Sequence, residues 1–218
     1  EERHLRFVFL TGISKFSQLS IFSELNNITN ISMLDKYSDI CGISRNELVS
    51  IFKADIRELA NENEMTYDEA LSELQHHYDG YHFSGRGEDV YNPYSLFNTL
   101  ASNEFDDYWF STGTPTFLID LLQEKHLDML DLDDITATAD RFDTPTEKII
   151  DPVPVLYQSG YLTIKAYNRR SKIFKLGFPN TEVKTGFSNS LFRYYAPDNL
   201  GEKDALYAAY YECLVEHD

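Results

Sequence analysis

"PVPVLYQSGYLTIKAYNRRSKIFKLGFPN", residues 152–180, is the stretch on which the fold turns. It reads as a short helix, a glycine at Gly160 and a strand over 161–166. A polar turn at Asn168-Arg169-Arg170 then leads into a second strand over 172–178. Asn180 follows as a helix cap, and Val183, Phe187 and Leu191 recur at helical spacing behind it. Helix, glycine, two-stranded ribbon and helix is the outline of a winged-helix module over 151–195. Any β-hairpin packed on two helices reads the same way, so both readings stand at this point.

Upstream, the helices announce themselves by their caps. Ser44 and Glu47 form an S-x-x-E box ahead of Leu48, Ile51, Phe52, Ile56 and Leu59, spaced for one helical face. Thr66 and Glu69 repeat the box before Ala70, Leu71 and Leu74, and Gly80 supplies a stop. Residues 81–93, "YHFSGRGEDVYNP", predict a hairpin turning at Gly85-Arg86-Gly87. Asn92-Pro93 and Thr114-Pro115 each open a helix, the first with Leu96, Phe97 and Leu100, the second with Phe117, Leu118, Leu121 and Leu122. "DMLDLDDITATADRFD", residues 128–143, is acidic and weakly patterned and predicts an exposed connection. "SQLSIFSELNN" reads as a short helix or turn, and a last helix is expected beyond "APDN".

Composition narrows the function classes. Hydrophobic residues make up 42% of the 218, with fifteen Tyr and fifteen Phe, enough for a sizeable core. A net charge of −17 disfavours general nucleic-acid binding, leaving room only for a local basic patch. Cys41 and Cys213 are the chain's two cysteines; this excludes a disulfide scaffold and fits a cytoplasmic protein. No apolar run reaches the roughly 18 residues of a membrane span. The chain opens on Glu1 within a few residues of an apolar strand, "LRFVFL", and reads as a piece of something longer.

"RFVFLTGISKFS", residues 6–17, tests for a phosphate loop. That loop needs G-x-x-x-x-G-K-[ST], whereas here Gly12 stands alone and Phe16 follows Lys15. The 218 residues hold no such motif and so no backbone cradle of that type for a triphosphate.

Six stretches together carry a resemblance: "FLTGISKFSQLSIFSELNNI" (9–28), "HYDGYHF" (77–83), "VYNPYSLFNTL" (90–100), "YWFSTGTPTFLIDLL" (108–122), "VLYQSGYLTIKAY" (155–167) and "LGFPNTEVKTGF" (176–187). In this order and spacing they resemble the bacterial AAA-ATPase-like family, over residues 5–190. In that family a P-loop ATPase region precedes a PD-(D/E)XK nuclease-like domain. The resemblance implies ATP and magnesium for the parent, with its Walker motifs upstream and its nuclease-like domain downstream. It makes "FVFLTGISKFS" the later core strand whose C-terminal end senses nucleotide, with Thr11, Ser14 and Lys15 the candidates by position. A turn at Thr11-Gly12, with Ser14 as a helix cap, is the plainer reading of the same residues.

Other constellations weigh less. Glu182-Val183-Lys184 mimics the nuclease E-x-K half-motif, but it falls at a helix start and no Asp lies between Asp151 and Asp198. A glutamate favourable to the helix dipole accounts for it. His76, His77 and His82 with Asp79 lack the spacing of a metal pair; a turn at Asp79-Gly80 over packed Tyr78, Tyr81 and Phe83 fits better. Lys165, Arg169, Arg170, Lys172 and Lys175 form the one basic feature, interleaved with Tyr167 and Phe174. They suit either a DNA-touching wing or the solvent face of a ribbon.

The expectation is therefore a mixed α/β, mostly helical chain. Residues 1–35 end a P-loop ATPase core strand, and 36–150 form a helical lid-like region with a small hairpin. Residues 151–195 form the winged-helix-like module, and 196–218 a linker and terminal helix. The expected function is regulatory, without catalysis by this chain alone. The alternative is a winged-helix adaptor for DNA or protein carrying an ATPase remnant. Expected partners are the parent's ATPase core and nuclease-like domain and DNA at the wing, with no cofactor in this chain, no metal and no membrane.

Overall fold

The computed structural model describes residues 6–9, 11–12, 29–111, 118, 120, 121, 124, 132–144 and 151–195. These form a mixed α/β structure with two small antiparallel sheets. Ser14 and Lys15, the expected helix or turn at 17–27, most of the helix expected from Pro115 and everything beyond 195 lie outside the described residues.

The first half is helical. A two-residue strand, β1 (Ile43–Ser44), enters α1 (Arg45–Ile51), then α2 (Lys53–Glu62), α3 (Tyr67–Tyr78) and α4 (Pro93–Ser102). Both capping boxes form: Ser44 accepts from the Glu47 N–H and Thr66 from the Glu69 N–H, and each glutamate reaches back to the cap N–H. Asn92 caps α4 through the N–H groups of Tyr94 and Ser95. The single helix expected from Ser44 to Leu59 is two, broken at Phe52, whose φ of −100° and ψ of 23° leave the helical well. That break turns Ile51 outward to solvent, so it is not part of the buried stripe.

The expected 81–93 hairpin is reduced to one bridge, Tyr81 opposite Val90, around a loop that Ser84 pins by accepting from Gly87 N–H at 2.8 Å. Strand β2 (Val90–Tyr91) pairs instead with β1, Ile43 opposite Tyr91. After α4, a short helix α5 (Tyr108–Ser111) follows.

The second half is a three-stranded sheet with helices against it. The acidic connection expected at 128–143 contains strand β3 (Ile135–Thr138) and helix α6 (Ala139–Phe142), with Leu132 and Phe142 buried. The pattern Ile135, Thr136, Ala137, Thr138 alternates buried and exposed, a strand signal muted by small residues and surrounding aspartates. Helix α7 (Val153–Gln158) precedes β4 (Thr163–Asn168), β5 (Ile173–Gly177) and α8 (Thr181–Tyr195). The strand order is β3-β5-β4, all antiparallel, with a bulge in β4 between Ile164 and Ala166. Lys172 turns the ribbon with φ +56°.

Two hydrophobic cores result. Leu48, Ile56, Leu59, Leu74, Tyr78, Tyr91 and Leu96 fill the helical one. Ile135, Phe142, Leu156, Ile164, Phe174, Leu176, Val183 and Phe187 fill the sheet-bearing one, joined by Tyr81 and Val90. Because neighbouring strand residues face opposite ways, Val90 and Tyr91 feed different cores. The N-terminal "FVF" corrects the expectation of a buried strand: residues 6–9 form no strand and Phe7 is 81% exposed. No helix among the described residues is long and apolar enough to cross a membrane.

Candidate functional site

The two cores meet at Tyr78-Asp79-Gly80-Tyr81. Helix α3 ends at Tyr78, and Gly80 follows at φ +91°, a conformation that side chains other than glycine's resist. A Cβ on Gly80 would stand 2.2 Å from the Pro179 carbonyl oxygen, so the position is closed by contact as well as by φ. Asn180 works both sides of this contact. Its Nδ2 donates to the Asp79 carbonyl at 2.9 Å, while its Oδ1 accepts from Val183 N–H at 3.1 Å and caps α8. His82 fastens the same segment to β4: its N–H donates to Thr163 Oγ1 at 2.7 Å, and Thr163 Oγ1 donates back to its carbonyl at 3.0 Å.

Glu182, in the first turn of α8, is the centre of the junction. It is fully buried. Its carboxylate accepts from Ser95 Oγ of α4 at 2.9 and 2.8 Å and from the Trp109 N–H of α5 at 2.8 Å. Burial pushes its pKa up to about 7 against those lowering hydrogen bonds, and Asp107 and Asp106 add to the rise. Asp107 itself is pushed up to about 6 by burial, with Asp106 contributing. The Trp109 ring lies against Tyr161, with centroids 5.1 Å apart. Tyr78 seals the floor: its hydroxyl donates to the Asp106 carbonyl and accepts from the Asp106 N–H, and burial raises its pKa to about 12.

Beside this junction opens a cleft of about 340 Å³, lined by His76, Asp79, Asp89, Lys165, Thr181 and Lys184 among others. Asp79 is 7% exposed, and its Oδ1 meets no hydrogen-bond partner. Burial raises its pKa, opposed by a hydrogen bond from the Gly80 backbone. Asp89 shifts the other way, lowered first by its 2.7 Å hydrogen bond with His82. His76 Nε2 pairs with Thr181 Oγ1 at 2.8 Å and His77 Nδ1 faces the Glu73 carbonyl at 3.0 Å, so the histidines serve separate contacts. Among the described residues no three His, Cys, Asp or Glu converge as metal ligands.

The five basic candidates are divided between two places. Lys165 lines the cleft and donates to the Pro179 carbonyl at 3.2 Å. Lys175 pairs with Asp134 at 2.8 Å. Arg169, Arg170 and Lys172 stand exposed at the ribbon turn, beside a groove lined also by Thr136, Tyr167, Asn168 and Ser171. Of the nucleotide-sensing candidates, Thr11 is exposed and Ser14 and Lys15 fall outside the described residues. Glu182 stands at a helix start as its position behind Asn180 predicts, but its burial and its partners, Ser95 and Trp109, are not legible in the sequence. The available signal was a glutamate directly behind the Pro179-Asn180 cap in a segment with no other carboxylate to repel it.

No family model matches the chain, and no solved structure matches it. It is 35% identical over 199 residues to an uncharacterized protein in the vnfD 5′ region of Azotobacter chroococcum mcd 1. That similarity takes in 90% of this chain and 36% of the relative, so the chain spans about a third of the relative's length.

Proposed function

We propose that this chain is the regulatory, lid-like part of an AAA-ATPase-like protein, without catalysis of its own. The observation that carries the reading is the buried junction at Glu182. Segments far apart in sequence (residues 78–82, 90–95, 109, 161–163 and 179–183) are tied there into one body. A lid that transmits nucleotide state has to move as a unit, and a buried carboxylate holding three helices together gives the helical and sheet-bearing halves that rigidity. The greater length of the relative agrees with a chain that works beside other domains. ATP and magnesium would be held by an upstream core, and no step of their chemistry is assigned to these residues.

The test is limited proteolysis of the parent protein with and without ATP and magnesium, with ATP turnover by this chain measured alongside. Cleavage sites within residues 1–195 that change with nucleotide, and no turnover by the chain alone, are the expected results. Identical patterns in both conditions, or turnover by the chain matching that of the parent, would overturn the reading.

A second reading, an adaptor whose wing touches DNA, rests on a separate observation: the exposed basic turn of Arg169, Arg170 and Lys172. The β3-β5-β4 order, with two short helices among the described residues between β3 and β4, agrees with a winged-helix-like topology. In such a module α7 would be the helix offered to a major groove. Val153, Pro154, Val155 and Leu156 of α7 are all buried in the core, which favours the lid over a sequence reader.

A further inference from the structure

We infer that the ribbon turn is a phosphate-binding tip that holds duplex DNA by its backbone and reads no bases; this rests on the adaptor reading and specifies its chemistry. The first support is charge segregation. Residues 151–195 contain seven Lys and Arg but two acids, in a chain whose net charge is −17. Neither acid opposes the tip: Glu182 is buried at the junction, and Asp151 is bound by Arg141 at 2.6 Å. Lys175 is occupied by Asp134, and Lys165 by the Pro179 carbonyl. No described carboxylate pairs with Arg169, Arg170 or Lys172, which leaves three cations on the four-residue turn 169–172.

The second support is the geometry around them. Asn168 Oδ1 accepts from the N–H groups of Arg170 and Ser171, at 3.0 and 3.2 Å, which fixes the turn before any ligand arrives. Tyr167 stacks on Phe174 with centroids 4.3 Å apart, and the Gly85 backbone packs against its ring. The tip therefore stands on a rigid base. The adjoining groove offers Thr136, Asn168 and Ser171, side-chain types that also hydrogen-bond phosphate oxygens. Arginine's planar fork matches phosphate in two-point contact. Duplex DNA presents a charge about every 1.7 Å along its axis, so three cations on one short turn can be engaged together. With α7 sunk in the core, base edges have no helix to meet, and the binding is indifferent to sequence.

The experiment is a fluorescence-anisotropy titration of this chain against two unrelated 20-base-pair DNA duplexes and one RNA duplex, from 20 to 200 mM salt. The expected result is equal affinity for the two DNAs, with a log–log salt slope near −2.7 for three phosphates. The variant R169E/R170E should weaken binding at least tenfold. The neutral variant R169Q/R170Q/K172N, whose asparagine tolerates the positive φ at 172, should bring the slope close to zero. K53A, an exposed lysine of α2 in the helical half, serves as the control, with less than a twofold change. A strong preference between the DNAs, tighter binding of RNA, or insensitivity to both tip variants overturns the phosphate tip and leaves DNA binding to be explained elsewhere. No binding to any duplex at 20 mM salt overturns the tip and the adaptor reading together.

Discussion

The helical half and the sheet-bearing half of this protein are built on opposite principles and carry opposite charge. Residues 36–111 hold fifteen acids against five Lys and Arg, whereas residues 132–144 and 151–195 together hold six against eight. The helical half assembles from short-range signals: two capping boxes, an Asn-Pro helix start and leucines at helical spacing. The other half depends on partners far away in sequence, Ile135 with Leu176 and Thr163 with His82. What the difference teaches is where a defect spreads. A lost cap should weaken its own helix, while a lost junction contact should release one half from the other.

Gly80→Ala should do the most damage to that arrangement. The new methyl meets a carbonyl that belongs to the other half, and the φ of +91° adds strain. A loss of about 2–4 kcal/mol is expected in urea unfolding. A loss under about 1 kcal/mol would mean that the two halves separate without cost at this point.

Glu182→Ala comes next. It leaves Ser95 Oγ and the Trp109 N–H without their acceptor in a buried site, for an expected loss of about 2–3 kcal/mol at pH 6. The chain's single tryptophan lies at this junction and reports on it directly. Its emission should shift to longer wavelength and its transition should part from the far-UV circular dichroism transition. Coincident transitions in the variant would show that the halves need no carboxylate to act as one.

The same residue sets a pH dependence. Glu182 titrates near 7 when folded and Asp107 near 6, both above their ordinary carboxyl values of 4.5 and 3.8. Between those ordinary values and the folded ones, the native state binds more protons than the unfolded state. Stability from these groups is therefore complete at low pH and lost as pH rises from about 3.8 through about 7. Glu182 accounts for up to about 3 kcal/mol of this change. Melting temperature should fall across that window, and Glu182→Gln should flatten the fall; a variant with the wild-type slope would move the effect to other groups.

Smallest should be the caps. Ser44→Ala and Thr66→Ala each remove one side-chain acceptor from an exposed helix start, at about 1 kcal/mol. Tryptophan emission should not change. A shift in emission from either would break the comparison, because it would carry a local helix effect across the junction.

The helices at 45–62, 67–78 and 93–102 were legible in the sequence because caps and spacing are written into neighbouring residues. The ribbon was legible too, with strand ends displaced by a residue or two. Strand β3 was not, since aspartates on one side and small side chains within it hide the alternation that β5 makes use of. The break at Phe52 and the exposure of Ile51 are properties of the folded chain that no spacing rule encodes. Among the site residues, Gly80 and Asn180 could be read as a turn and a cap, but their meeting could not.

The sequence by itself determined the helix starts, the ribbon and its basic turn, the acidic balance of the chain and the lack of a Walker A motif, because each is a property of adjacent residues. Only the tertiary structure decided that Glu182 is buried between Ser95 and Trp109, that Lys165 and Lys175 are paired while Arg169, Arg170 and Lys172 meet no carboxylate among the described residues, and that α7 is sunk in the core. Burial and pairing depend on which distant segments come together. That is settled by the packing of the two cores against each other.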